Sequence, residues 1–446
     1  MKTLTKKWQM ILYGCAGIGV NMLNMIVGSY LCSALLTGGF SDKDIGFWTY
    51  TDKNLVVAGI WATLILVAKA IDGIIDIPLA SFTDNLKTRW GRRRPAILIG
   101  FIPMIIAYLL FLVPLNNGPT VLNTIWFATL LCLFYGAYTL TMVTYYATFA
   151  EILETDRDRL FLSNVKSICD VVYFSISFAL VPVFVNLGRM NIRWVALLFL
   201  PLAASMLIAL LMIKEPSTKD GIPEDSKDAK GVGFIKSITY SFRNKNFIYW
   251  MLCASVMNFG LQLFLSGINE FFSSTGLNMT LIMASSFAPV PFTLQIYNKL
   301  VKKKGIKFGF QYCLLVYSFA MVLMFVCRML PLKYMTPVAL LCGLIVSLAM
   351  GTFFSITYTI PSQLAAEENA RTGICASSMY FAVQGLFEGV AAGLASGPML
   401  VFLKQHSGIP YMTLIIAVAC MTAFVMAFFL PKSIANLGIE KKSEQK

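Results

Sequence analysis

Two carboxylates, Asp72 and Asp76, stand four residues apart in an apolar run that opens the stretch 69–95, KAIDGIIDIPLASFTDNLKTRWGRRRP. On a helix they share one stripe with Lys69, which precedes Asp72 by three residues. A charge inside a membrane-spanning helix costs roughly 2.5–3.5 kcal/mol on insertion scales, so that stripe must face protein or a wet cavity rather than lipid. One lysine cannot neutralise two aspartates. Paired acids in that setting offer a place for a cation, either Na⁺ on hard oxygen ligands or H⁺ on a carboxylate. The competing reading is a structural ion pair between Lys69 and Asp72 that joins two helices. Beyond Asp84 the stretch turns basic, through Lys87, Arg89, Arg92, Arg93 and Arg94, as a cytoplasmic loop does.

Such acids need a membrane around them, and the composition supplies one. The 446 residues are 57% hydrophobic and 13% charged with a mean hydropathy of +0.72, whereas soluble domains carry about 25% charged residues. The chain therefore reads as an integral membrane protein. Its net charge of +14 comes from residues lying between apolar runs, which excludes a soluble nucleic-acid-binding face. The ten cysteines fall in apolar stretches without CxxC spacing, so neither a disulfide framework nor a zinc site is indicated. There is no HExxH, GxSxG or Walker A motif, and the single histidine, His406, falls in a short outer loop. An enzyme and a resident cofactor are both unsupported. The opening MKTLTKKWQ and the apolar run behind it read as a retained first span rather than a signal peptide.

Apolar runs bounded by charge or turn residues predict twelve spans, near 9–37, 54–80, 94–115, 122–150, 162–186, 194–213, 246–270, 279–298, 308–330, 335–364, 373–403 and 409–431. A charged segment at 214–245 splits them six and six. The expected organisation is a bundle over 1–213, a cytoplasmic central loop over 214–245, a second bundle over 246–431 and a cytoplasmic tail over 432–446. With the N-terminus inside, 28 Lys and Arg residues lie on the cytoplasmic side and 7 outside, which places both termini in the cytoplasm. The basic loop 299–307 occupies in the second half the place of 87–94 in the first. TLTMVTYYATFAEI (139–152) and FSITYTIPSQLAAE (354–367) repeat a Thr/Tyr-rich helix with an acidic exit. The expected fold is an all-α membrane protein of twelve transmembrane helices in two six-helix bundles, the major facilitator superfamily architecture, with a site between repeats near the bilayer midplane.

The residues also carry a resemblance. The Asp72-x-x-x-Asp76 helix with TDNLKTRWGRRRP, the YTLTMVTYYATFAEI and ETDRDRLFLSNVK stretches and the ARTG at 370–373 resemble the glycoside-pentoside-hexuronide:cation symporters, the melibiose permease-like branch of that superfamily. The resemblance implies that Asp72, Asp76 and Thr139 form the coupling-cation site, and it requires no metal beyond a sodium ion at the two aspartates. It places Asn21, Tyr145, Tyr146, Lys166 and Gln384 at the substrate, and it makes Asp84, Arg92 and Arg93 a latch at the helix ends. Some positions depart from the family. Asn21 and Met142 replace two sugar-binding aspartates, Tyr146 a stacking tryptophan, Lys166 an arginine and Gln384 a lysine. Ile75 replaces a polar residue of sodium-coupled members, which favours H⁺.

Symport of a glycoside, pentoside or hexuronide by alternating access is the function so implied. A glycoside or glycuronide is the expected partner, in a monomer embedded in lipid of a bacterial inner membrane without nucleic acid. The alternative keeps the fold and carries an amphiphile such as a lysolipid or drug, for which 34 Phe and 23 Met and the missing carboxylates are suited. Asp170, one turn after Lys166, and Glu388, one turn after Gln384, are further intramembrane acids, each readable as a local bond or as part of a site.

Overall fold

A computed structural model describes residues 6–37, 54–84, 86–152, 156–186, 190–219, 242, 244–372 and 377–430. Most of the central loop, the tail from 431, Gly373 of the ARTG stretch and the side chains of Asp76 and Asp84 lie outside the described residues. The described chain is helical, in twelve spans: α1 Lys7–Leu36, α2 Ala58–Asp84, α3 Arg93–Phe111, α4 Val121–Glu151, α5 Asp156–Asn186, α6 Ile192–Met212, α7 Lys245–Thr275, α8 279–304, α9 Ile306–Cys327, α10 Leu332–Thr372, α11 377–405 and α12 Met412–Ala427. It divides into two compact units, Met1–Asp228 and Ala229–Lys446.

Eleven of these helices contain a segment long and apolar enough to cross a membrane. In α5 the described side chains give a shorter apolar segment, Ile168–Phe178. Asp156, Arg157, Asp158 and Arg159 load the first turns of this 31-residue helix, Lys166 and Asp170 lie near its middle, and the sequence continues apolar through 179–185. The expected start of this span at 162 lies nearly two turns too late. The α10 helix is similarly longer than the expected 335–364. Its 41 residues rise about 60 Å, twice a hydrocarbon core of about 30 Å, and its last turns carry the polar Glu367, Glu368, Asn369 and Arg371.

Lipid-facing and buried stripes separate cleanly on α2. Trp61, Ile65 and Ala68 are buried, and the same stripe continues through Asp72 to Asp76 in helix register. Val67, Ile71, Ile74 and Phe82 are exposed on the other side. Asp72, half-buried, thus sits toward the protein-facing side of its helix.

The first helix is broken where it meets its neighbours. Regular helix gives way at Ala16–Gly17, and a π-helical stretch follows at Ile26–Leu31. Opposite the first break, α6 tightens into a 3-10 stretch, Leu200–Ser205, with Pro201 in its first turn. The Ser205 hydroxyl donates to the Ala16 carbonyl at 2.7 Å and accepts from the Gly19 amide at 3.3 Å, so the groups loosened by the break are met by a side chain. Gly14 faces Val165 and Leu162 of α5, Gly17 faces Met142 and Tyr145 of α4, and Gly19 lies against the Leu202 backbone. Only a residue without a side chain permits that last approach, because a Cβ at position 19 would overlap the Leu202 carbonyl.

Gly19→Val should therefore cost about 1–3 kcal/mol of stability by overpacking. Its thermal unfolding in detergent, followed beside that of the wild type, should shift down. An unchanged midpoint would show that α1 and α6 separate freely at this point.

Candidate functional site

In the N-terminal unit α2 and α4 run side by side in register. Ile75 of α2 lies in van der Waals reach of Gly136 on α4. Lys69 of α2 places its Nζ 3.7 Å from the ring centroid of Tyr135, and one turn further along both helices the Thr139 hydroxyl donates to Asp72 Oδ1 at 3.1 Å. Among the described residues, no ion pair joins Lys69 to Asp72; the ammonium rests on an aromatic face instead, an attraction of about 0.5–2 kcal/mol depending on desolvation. The geometry contains no direct contact between Lys69 and Asp72, although the Asp72 charge still acts on the buried ammonium. Asp72 is half-buried, and with one oxygen accepting from Thr139 it keeps further lone pairs for a cation or a proton. Asp76 follows one turn later in helix register.

The neighbouring face of α4 holds a second group. Tyr138, adjacent to Thr139, donates its hydroxyl to Asn21 Oδ1 of α1 at 2.9 Å, and Asn21 Nδ2 donates to the Tyr146 hydroxyl at 3.4 Å. Tyr146 lies under Lys166 of α5, whose Nζ is 5.0 Å from the ring centroid. Lys166 in turn pairs with Asp170 at 2.5 Å. Asn21, Tyr146 and Lys166 therefore meet from three helices, as a set of amide, hydroxyl, ring face and ammonium. That set can hold polar hydroxyls, stack an apolar sugar face or attract a carboxylate.

Other residues named from the sequence are placed differently. Tyr145 is fully buried, with its hydroxyl donating to the Tyr13 carbonyl and its ring 5.3 Å from that of Tyr13, while the Tyr13 hydroxyl bonds Thr148. Its hydroxyl is committed to joining α1 and α4. Met142 is buried against Gly17. In the C-terminal unit, Gln384 is 4% exposed and both ends of its amide are engaged: Trp250 Nε1 donates to its Oε1 at 2.9 Å, and its Nε2 donates to Glu388 Oε1 at 2.9 Å. Asn258 Nδ2 donates to the Glu388 main-chain carbonyl at 2.9 Å and ties α7 to α11. His406 is exposed and stacks on Phe402.

The basic loop is clasped within its own unit. The Arg93 guanidinium is buried and donates to the Thr83 hydroxyl at 3.4 Å, and the Arg93 amide, at the N-terminus of α3, donates to the Glu215 carboxylate at 2.7 Å. A carboxylate at that helix end is favoured by the macrodipole. Gly91 takes a left-handed φ of 81° where Glu215 closes over it, and Thr88 and Thr218 exchange bonds in which Thr88 N donates to Thr218 Oγ1 and Thr218 N to Thr88 O. Half-buried Arg92 starts α3. Sequence reading missed Glu215, Thr218, Tyr138 and Trp250. Tyr138 had a signal, lying two turns before Tyr146 on the same stripe; Glu215 and Thr218 are separated by more than a hundred residues from their partners and had none.

With this geometry in hand, comparison with known proteins is informative. A family model described as MFS/sugar transport protein matches residues 12–409. The chain belongs to that transporter family. The match agrees with the glycoside-pentoside-hexuronide:cation symporter resemblance read from the sequence. Relatives in this family include the inner membrane symporter YicJ of Escherichia coli (strain K12), 30% identical over 141 residues, which are 31% of this chain and 30% of that protein. The lactose permease of Lactobacillus helveticus is 31% identical over 150 residues, 32% of this chain and 22% of that one. The aligned parts thus span under a third of either relative. Among solved structures, nucleoside transporter NupG superposes with a TM-score of 0.62 at 14% identity, covering 95% of this chain and 98% of that one. A bacterial homolog of the human lysosomal transporter Spinster, inward-facing and unoccupied, gives 0.59 at 14% identity over 97% and 98%. A POT family transporter in complex with 5-aminolevulinic acid gives 0.65 at 14% identity over 96% of each. These three establish the fold. The family is one of transporters, and eleven apolar helices among the described residues make this chain a multi-pass membrane protein.

The Lys166–Asp170 pair yields a stability test. Lys166→Ala leaves a half-buried carboxylate without its ammonium and should destabilise the protein by roughly 1–3 kcal/mol, and adding Asp170→Asn should recover part of that loss. Denaturation of the purified single and double variants reads the difference. Equal losses would mean the pair carries no coupling.

Proposed function

We propose that this transporter couples the entry of a cation to the uptake of a glycoside, pentoside or hexuronide. The observation that carries the reading is the Thr139–Asp72 hydrogen bond, made from the same helix that presents Tyr146 to Asn21 and Lys166. Cation and substrate groups are then rigidly linked through one element. Asp72, Asp76 and Thr139 are assigned to the cation. Asn21, Tyr146 and Lys166 are assigned to the substrate, with the ammonium suited to a hexuronide carboxylate and Tyr146 to a sugar face. Tyr145 is assigned to packing that holds Tyr146 in place, and Gln384 to positioning its neighbours in the C-terminal unit. Ile75 offers no ligand, which favours H⁺ over Na⁺.

The mechanism rests on charge. Empty, the two carboxylates leave net negative charge in a spanning helix, which disfavours closing the protein around them. A bound cation removes that penalty and allows alternating access. Both termini are assigned to the cytoplasm on the Lys and Arg distribution. Asp84, Arg92 and Arg93 are assigned to the latch at that side, with the Glu215 and Thr218 clasp fixing the loop that bears them. The protein is taken to act as a monomer in a bacterial inner membrane.

Counterflow in proteoliposomes across glycosides, pentosides and hexuronides, with and without Na⁺, tests the substrate class. Lysolipid or drug transport with no sugar counterflow would support the amphiphile alternative instead. For the best sugar found, Asp76→Asn should abolish uphill accumulation while downhill exchange persists. Thr139→Val should weaken the apparent affinity for the coupling ion by roughly tenfold or more, as loss of a ligand or its support does. Tyr146→Ala should raise the half-saturating sugar concentration with little change for the cation. Full uphill transport by the Asp76 variant would overturn the coupling assignment, and unchanged sugar affinity would remove Tyr146 from the site.

A further inference from the structure

Outside the Asp72 region, one spanning carboxylate is held by a chain of bonds whose direction is fixed. The indole Nε1–H of Trp250 can only donate, so the atom of Gln384 that meets it at 2.9 Å must be the carbonyl oxygen. The opposite end of that amide is then the NH₂ group, and it can only donate to Glu388 Oε1, also at 2.9 Å. Turning the amide over would set two donors against each other at Trp250. Glu388 Oε1 is thus an acceptor in either charge state, and Oε2 is the oxygen left for a proton.

Among the described residues, what surrounds that carboxylate is neutral, including Phe242, whose ring lies 6.1 Å from that of the adjacent Phe387. Helices α7 and α10 and the π-helical stretch Ala395–Met399 of α11 pack against the part of α11 that carries Glu388. The π-helical stretch has no charged residue, and residues 377–394 have none but Glu388. On α7 the charged residues are Lys245 and Glu270. They lie thirteen and twelve residues from Asn258, the α7 residue bonded at Glu388, or about 18–20 Å along the axis. Glu270 is moreover paired with Lys404. Tyr249 of α7 turns its ring to Phe429, and Cys253 directs its thiol to the Ala423 carbonyl. On α10, Lys333 lies in the first turn near Tyr334, and the side chains of Tyr358, Glu367, Glu368 and Arg371 lie outside the described residues. Among the described residues no cation forms an ion pair with Glu388, and an amide donor supplies no countercharge. An unneutralised carboxylate in a spanning helix is unfavourable.

We infer that Glu388 is a proton-binding site of the C-terminal unit, separate from the Asp72 group, with the proton carried on Oε2 and the amide of Gln384 holding Oε1. The step is simple: a hydronium ion gives its proton to the carboxylate, leaving a neutral carboxylic acid and water. Proton binding here needs only the fold; that this proton takes part in transport rests on the coupled-symport reading above.

Infrared difference spectroscopy of the purified full-length protein in lipid, titrated with protons from mildly acid to strongly alkaline pH, tests it without any substrate. The wild type should show the carbonyl stretch of a protonated carboxylic acid at neutral pH, lost at alkaline pH. Glu388→Gln should lack that band and Asp72→Asn should keep it. Trp250→Phe and Gln384→Leu retain the glutamate and should shift the band upward as the bond to Oε1 is loosened or lost, which preserves the test if Glu388→Gln folds poorly. A neutral-pH band that vanishes in Asp72→Asn but survives in Glu388→Gln would overturn the assignment, as would a wild type with no such band at any pH. Neither result depends on whether sugar counterflow is found.

Discussion

A carboxylate carried into a spanning helix has to be met by polar atoms of a neighbouring helix, and in this protein that requirement fixes how α2 and α4 lie together. Thr139 donates to Asp72, and one turn away Tyr135 takes Lys69 onto its ring face. The two contacts are spaced by a turn on each helix and so define one register for both. The stripe that bears the acids continues Trp61, Ile65 and Ala68 on the buried side of α2, leaving Val67, Ile71, Ile74 and Phe82 for lipid. Slipping α2 by a turn would part Asp72 from the Thr139 hydroxyl and Lys69 from the Tyr135 ring. Register and chemistry are therefore the same constraint.

From that pairing α4 acquires its central place in the N-terminal unit. Thr139 looks to α2, and Tyr138 and Tyr146 look to Asn21 of α1. Tyr145 is bound to the Tyr13 carbonyl, and Gly100 of α3 lies against Ala137 and Thr141. The buried threonines 141, 144 and 148 return their hydroxyls to carbonyls of α4 itself, so that the helix presents polar side chains without leaving hydroxyls unmet. One element thus carries polar groups toward two neighbours while remaining apolar enough to span. Any shift of α4 moves the Asp72 contact and the Asn21 contact together.

Sequence pattern revealed what depends on periodicity and failed where the chain depends on partners. Twelve spans were legible because lipid demands long apolar runs, and the acid pair was legible because charge is rare within them. The α5 start was misplaced because its first turns are charged, which reads as loop when helix is set by packing. The break in α1 was legible only as glycines; that it meets a 3-10 stretch in α6 through Ser205 is a contact across 189 residues. Tyr145 and Tyr146 are adjacent and chemically identical, so no local signal separates the one bound to a backbone carbonyl from the one facing Lys166. Glu215 closes over Gly91 and the start of α3 for the same reason of distance: its helix-capping role exists only after α3 and α6 are side by side.

The described acids within the spanning helices fall into two kinds, and the difference is physical. Asp170 with Lys166 and Glu270 with Lys404 each face an ammonium, so that removing or adding a proton would break a pair already neutral. The first pair lies within α5 and the second ties α7 to α11. Asp72 and Glu388 instead accept from neutral donors, a hydroxyl and an amide, in their separate units. A neutral donor orients a carboxylate without cancelling its charge; at Asp72 the Lys69 ammonium acts on it from one turn away without direct contact, whereas at Glu388 no cation forms an ion pair among the described residues. In a medium that penalises net charge, an acid without a fixed ion pair is what the proposed cation coupling calls for, and salt-bridged acids cannot supply it.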